Sequence, residues 1–182
     1  MYLNNSCVSV GFGINFQQTK NDYGVAMHTL KDLLDVAIQS EVNSQKLYQR
    51  GVEVAGDDEI RAFFKRLVKE ETMHENMLFN IRETELYDLS VKVDAPDLFE
   101  AARSSHGSAN IAFDENWTTE DILNAAMTRE FNAMKRYKAA ADATANLELK
   151  TLFSNLSEEE SHHHRVVEHQ YNLLKGLAGK EL

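Results

Sequence analysis

The sequence predicts an all-α protein, a four-helix bundle assembled from a duplicated helical hairpin. Glycine and proline number only 8 and 1 among 182 residues, which suits long helices with few connections better than a turn-rich β fold. Apolar residues recur at steps of three and four through four separate stretches. The first pair of stretches then returns 89 residues later, with the same polar residues interrupting the same apolar stripes.

Taken in order, residues 1–27 are rich in Gly, Asn and Gln and are expected to form an irregular arm. The first helix opens at Thr29, with Asp32 three residues on as in a capping box. Its stripe runs Leu30, Leu34, Ala37, Glu41, Ser44, Tyr48, Val52 until Gly56-Asp57-Asp58 breaks the pattern. The second helix carries Ile60, Phe64, Leu67, Glu71, His74, Leu78 and Ile81 on one face. Residues 85–117 hold the single proline, Pro96, with Gly107 and several Ser and Asn. Antiparallel neighbours are usually joined by ~2 to 8 residues, so this stretch reads as a crossover along the bundle, with a short helix expected over 97–103. The third helix starts at Thr118 with Asp121, and its stripe is Ile122, Ala126, Glu130, Ala133, Tyr137, Ala140. Asn146 is placed to cap the fourth, whose stripe is Leu149, Phe153, Leu156, Glu160, His163, Val167, Gln170, Leu174, with a fraying tail beyond. The organisation is thus an arm, 1–27, and one domain, 28–182, with hairpins at 29–84 and 118–175 and the crossover at 85–117. Aligned without a gap, 29–74 and 118–163 agree at 14 of 46 positions.

A formal net charge of −10 argues against a nucleic-acid or anionic-membrane partner, for which a basic surface is expected. Cys7 is the only cysteine, which leaves no intrachain disulfide and no cysteine-ligated zinc or iron–sulfur site in this sequence. The first sixteen residues lack a basic segment and their apolar run is broken by Gly11, Gly13 and Asn15, so they do not read as a signal peptide. A cytoplasmic location is the expectation.

The chemistry lies in the repeat. Glu41 is followed thirty residues later by Glu71 and then by His74, and Glu130 is followed at the same intervals by Glu160 and His163. A tyrosine, Tyr48 or Tyr137, stands seven residues after each leading glutamate. One Glu-x-x-His arises readily by chance in an acidic helix; the same set twice at a constant offset does not. These residues interrupt core stripes, where four carboxylates would repel one another and cost several kcal/mol each unless compensated. Two divalent cations would compensate them. Four carboxylates and two imidazoles are the ligand types of a dinuclear iron or manganese site. The duplication places Glu41 on one metal, Glu130 on the other, Glu71 and Glu160 between them, and His74 and His163 as terminal ligands. Tyr48 and Tyr137 have the phase to hydrogen-bond a ligating carboxylate.

The run Glu158-Glu159-Glu160-Ser161-His162-His163-His164 contains two Glu-x-x-His pairs, but successive helical residues point about 100° apart, so only one faces the core. The offset and the stripe through Leu156 and Val167 select Glu160 and His163. His162 and His164 are then expected at the surface or at a subunit contact, and Glu70 and Glu159 on a solvated face. His28, His106 and His169 read as surface residues, and Met127 and Met134 as core filling.

The motifs Glu41…Tyr48…Glu71-Thr72-Met73-His74 and Glu130…Tyr137…Glu160-Ser161-His162-His163 resemble the ferritin-like superfamily, most closely the diiron domain of rubrerythrins, over about residues 29–172. The resemblance implies a left-handed bundle, two non-haem irons (manganese and zinc suit the same ligands), and reduction of hydrogen peroxide or dioxygen. Full-length rubrerythrins add a cysteine-ligated rubredoxin module that this sequence lacks, so it implies an external donor, such as a separate rubredoxin-type protein. Rubrerythrins also carry an extra carboxylate one turn after the third-helix glutamate; here that place is Ala133, which brings a more symmetric ferroxidase or iron-storage site into competition. A role in oxidative stress and a homodimer or larger homo-oligomer are further expectations. The contrasting reading is a structural bundle without metal chemistry.

Overall fold

The computed structural model describes residues 19–20, 26–93 and 116–177. Four long helices dominate them: α1 (Leu30–Val54), α2 (Asp58–Glu83), α3 (Thr119–Ala143) and α4 (Leu147–Leu174). Each starts on a side chain that satisfies an otherwise unpaired backbone N–H. Thr29 and Thr118 form full capping boxes with Asp32 and Asp121, Asp57 accepts from the Ile60 N–H at 2.8 Å, and Asn146 accepts from Leu149 at 3.0 Å. At the other end of α4, Gly176 adopts φ 66°, and the Leu177 and Gly176 N–H groups return to the carbonyls of Asn172 and Leu173. This left-handed turn closes the helix, and the rest of the tail expected to fray, 178–182, lies outside the described residues.

Contacts across the helices set their directions. Gln45 of α1 reaches Glu75 of α2, Tyr48 of α1 reaches Glu130 of α3, and Ser157 of α4 reaches the Met134 carbonyl of α3. With the further pairs Tyr137 to Glu41 and His164 to Met127, these contacts make α1 antiparallel to both α2 and α3, and α3 antiparallel to α4. Helices α2 and α3 are therefore parallel, and the connection between them must carry the chain from one end of the bundle back to the other. Of that connection, Pro96, Gly107 and the short helix expected over 97–103 lie outside the described residues. Most of the arm, including Cys7 and residues 1–18, lies outside them too.

Strands form where the arm was expected to be irregular. Strands β1 (Thr19–Lys20), β2 (Ala26–Thr29) and β3 (Lys92–Val93) pair antiparallel in that order, with His28 opposite Val93 and Thr29 opposite Lys92. The Leu30 and Lys31 N–H groups, which a helix start leaves unpaired, donate to the carbonyls of Val91 and Leu89. His28 is consequently buried rather than at the surface.

The core divides in two. One cluster gathers Leu30, Leu34, Ala37, Leu78, Tyr137, Phe153 and Leu156; the other gathers Leu47, Tyr48, Phe64, Leu67, Ile122, Ala126 and Val167. Between them lies a layer of buried charged and polar side chains. The apolar stripes read from the sequence are buried except near their ends, where Leu174 is 47% exposed because α4 outruns the bundle.

Gly51 shows how tightly the second cluster is packed. A Cβ there would lie 2.7 Å from the Phe64 ring, whose side chain is fully buried. Alanine improves helix propensity by about 1 kcal/mol, whereas overpacking costs about 1 to 3 kcal/mol. Gly51→Ala is expected to lower the urea midpoint, and Phe64→Leu added to it to restore part of the loss.

Candidate metal centre

The six residues singled out by the repeat meet in the layer between the two apolar clusters. Glu41, Glu71, Glu130 and Glu160 are each no more than 1% exposed, and His74 and His163 are 3% and 4% exposed. Helices α1 and α3 contribute one glutamate each, and α2 and α4 contribute the Glu-x-x-His pairs, which share a face because residues three apart do. Glu71 Oε2 lies 3.3 Å from His74 Nδ1 while its Oε1 lies 3.0 Å from His163 Nδ1. Glu160 does the same, with Oε1 3.1 Å from His74 Nδ1 and Oε2 3.5 Å from His163 Nδ1. Glu41 approaches His74 at 4.0 Å and Glu130 approaches His163 at 3.6 Å. The potential ligand atoms thus fall into two groups, Glu41-Glu71-His74-Glu160 and Glu71-Glu130-Glu160-His163, each within 4.8 Å and sharing Glu71 and Glu160.

These atoms converge on points in space rather than on one another. Both oxygens of Glu71, one each of Glu130 and Glu160, and Nδ1 of both histidines are buried without a hydrogen-bond partner, despite separations near 3 Å. A native interior rarely leaves so many polar atoms unmet in one place. The donor set, hard oxygens with one imidazole nitrogen in each group, fits a pair of divalent cations.

Charges in the layer are strongly coupled. Burial and the neighbouring Glu160 charge push Glu130 up to about 8, and burial with repulsion from Glu160 and Glu71 raises Glu41. Burial also disfavours the charged forms of Glu71 and Glu160, but the two imidazoles and Glu41 beside Glu71, and Glu130 and the two imidazoles beside Glu160, outweigh it and hold both carboxyls below their ordinary value. Burial alone would lower His74, but Glu160 and Glu71 beside it prevail and raise it to about 11. His163 is raised likewise, through Glu130, Glu160 and Glu71 against the same burial.

The structure is similar to that of a Thermotoga maritima protein described as a putative ferritin-like diiron-carboxylate protein, with a TM-score of 0.64 over 80% of this chain and 96% of that one, at 19% identity. The fold is ferritin-like. The Rubrerythrin family model matches residues 121–179, which cover nearly all of α3 and the whole of α4. No curated protein sequence matches the chain.

Within this ferritin-like bundle the tyrosines cross between the halves. Tyr48 donates to Glu130 Oε1 and Tyr137 donates to Glu41 Oε1, so each phenol holds the glutamate of the other hairpin. Burial, then the Glu130 or Glu41 charge, raises both phenols well above their ordinary range, so each stays a donor.

Glu70 and Glu159 do more than face solvent. Glu159 Oε2 is 2.6 Å from His74 Nε2, and Glu70 Oε2 is 3.2 Å from His163 Nε2, again across the repeat. Although Glu159 is 55% and Glu70 38% exposed, each fixes its ring and leaves Nδ1 turned inward. The signal was present, since both residues recur at the offset of 89, but their angular position off the stripe argued against them. His162 is exposed, His164 is half-buried with Nδ1 3.0 Å from the Met127 carbonyl, and His169 is exposed, while His106 lies outside the described residues. Arg136, 5% exposed, and the fully buried Asn43 are additional polar residues that apolar periodicity could not flag.

Two outcomes follow for the metal-free protein. Tyr48→Phe leaves a buried Glu130 oxygen without its donor and is expected to cost ~1 to 3 kcal/mol in chemical denaturation. Raised groups bind their protons more tightly when folded, so their stabilisation is complete below the unfolded pKa and is lost as pH climbs through the folded one. Glu130, moving from 4.5 to about 8, and His74, from 6.5 to about 11, should therefore make the chelated protein progressively less stable between pH 6.5 and 8, measured by thermal unfolding.

Proposed function

We propose that this chain is a dinuclear non-haem iron oxidoreductase that reduces hydrogen peroxide or dioxygen with electrons from a separate donor. The observation that carries the reading is the sharing of Glu71 and Glu160 between two ligand groups, with unsatisfied buried atoms facing two neighbouring points. Glu41 and His74 would complete one position, and Glu130 and His163 the other. A reduced iron pair, when bound, supplies the two electrons that together with two protons convert one peroxide to two waters.

The chain's own residues prepare that chemistry. Glu159 and Glu70 orient the imidazoles through Nε2, and Tyr137 and Tyr48 hold Glu41 and Glu130 while keeping their protons. The two apolar clusters on either side exclude water, which strengthens every charge interaction in the layer. The resemblance to rubrerythrins over 121–179 supports an oxidant as substrate.

A second reading, oxidation and handling of Fe(II) as cargo, draws on a different feature. A cavity of about 540 Å³ between α2 and α4 is lined by Glu70, Glu158 and Glu159 together with Met73 and Met77 and reaches His74 and His163, an approach whose carboxylates suit a cation. Iron handling should consume Fe(II) in air well past two equivalents per chain, whereas the oxidoreductase should turn over peroxide only while a reductant is supplied.

Anaerobic Fe(II) titration is expected to saturate at two ions per chain. Because Glu71 serves both positions and Glu41 only one, Glu71→Ala should abolish binding at both and Glu41→Ala should leave about one. Equal stoichiometry in all three proteins would overturn the assignment.

A further inference from the structure

We infer that the cavity between α2 and α4 is a site for one soft monovalent cation, Cu(I), ligated by the thioethers of Met73 and Met77 and the imidazole of His162. The site is separate from the carboxylate–imidazole centre and uses none of its six ligands.

Three observations bring these donors together. All three residues line the same cavity of about 540 Å³. The contacts of His74 with Glu159 and of Glu70 with His163 cross between the helices at either end of a short span. Met73 lies within that span on α2, between Glu70 and His74, and His162 lies within it on α4, between Glu159 and His163. Met73 and His162 also hold equivalent places in the two copies, 89 residues apart, so the relation between the hairpins sets them opposite each other across the cavity. Met77 follows Met73 by one turn, where side chains have Cβ atoms roughly 5 to 6 Å apart, and the unbranched thioether is flexible enough to close that distance.

Each donor is available. Methionine ordinarily fills cores, and Met127 and Met134 are half-buried, yet Met73 is 58% and Met77 40% exposed on the cavity wall. His163 is held by Glu70 and His164 by the Met127 carbonyl, whereas His162 is exposed and has no hydrogen bond or ion pair among the described residues. The outer nitrogens of His74 and His163 are already engaged by Glu159 and Glu70 and do not compete. Two thioethers with one imidazole form a soft donor set that selects Cu(I), in contrast to the hard oxygens of the buried layer. The Glu158 carboxylate on the same wall favours a cation there. Divalent copper binds nitrogen and oxygen ligands more tightly than iron or manganese does, so holding copper at the mouth of the cavity keeps it from displacing metal at the centre.

The test uses the full chain carrying Cys7→Ser, which removes a thiol that would bind the same ion, titrated anaerobically with Cu(I) against a chromophoric chelator. One equivalent should bind per chain. Met73→Leu with Met77→Leu should weaken binding by about a hundredfold or more, and His162→Gln by about tenfold. X-ray absorption should show sulfur and nitrogen around the copper and lose the sulfur in the double variant. Ag(I), a redox-inert probe, should follow the same order. Leucine keeps the volume and helix propensity of methionine, so the double variant should match its parent in thermal unfolding. Should it unfold instead, His162→Gln carries the comparison at an exposed position. Unchanged Cu(I) affinity in the folded variants, or copper surrounded by nitrogen and oxygen alone, overturns the inference and leaves the dinuclear reading intact. Failure of the wild-type chain to bind two irons sinks that reading and leaves this site standing.

Discussion

The bundle depends on neutralising four glutamates enclosed between two apolar clusters. No arrangement of the surrounding leucines and phenylalanines can offset several kcal/mol of desolvation per carboxylate, so the structure answers charge with charge. Two imidazoles sit among the carboxylates, two phenols donate into the layer, and two half-exposed glutamates hold the outer ring nitrogens. What is left unanswered is a set of oxygens and nitrogens aimed at two points. Helix packing on either side then keeps the layer dry, and the caps set the phase in which each glutamate enters it.

Much of this was legible because helical periodicity fixes faces. Glu41, Glu71, His74, Glu130, Glu160 and His163 interrupt apolar stripes, and a residue in a stripe has only the core to face. The choice of His163 over its two neighbours followed from the same rule, and the burial of the three agrees with it. Periodicity does not say which helix lies opposite. That Tyr48 holds Glu130 rather than a glutamate of its own hairpin depends on the antiparallel packing of α1 on α3, which no spacing within one helix encodes.

Contacts at the edge of the layer and outside it depend on side-chain reach and on strand pairing, which periodicity does not encode. Glu70 and Glu159 remain exposed, as positions off the stripe imply, but a glutamate side chain is long enough to bend back to a ring nitrogen at the layer's edge. His28 was expected at the surface because nothing in a short polar arm predicts a strand, and the pairing of β2 with β3 buries it. Arg136 and Asn43 are invisible to any argument that equates polar with exposed.

The crossing of partners between the hairpins also bears on how the two copies can diverge. Each phenol and each outer glutamate completes a residue in the other copy, so a loss in one half orphans a group in its twin. Such positions can drift only in concert, while outward-facing ones are free to wander separately. The 14 agreements among 46 aligned positions include every member of these reciprocal pairs, Glu41, Tyr48, Glu70, His74 and their counterparts.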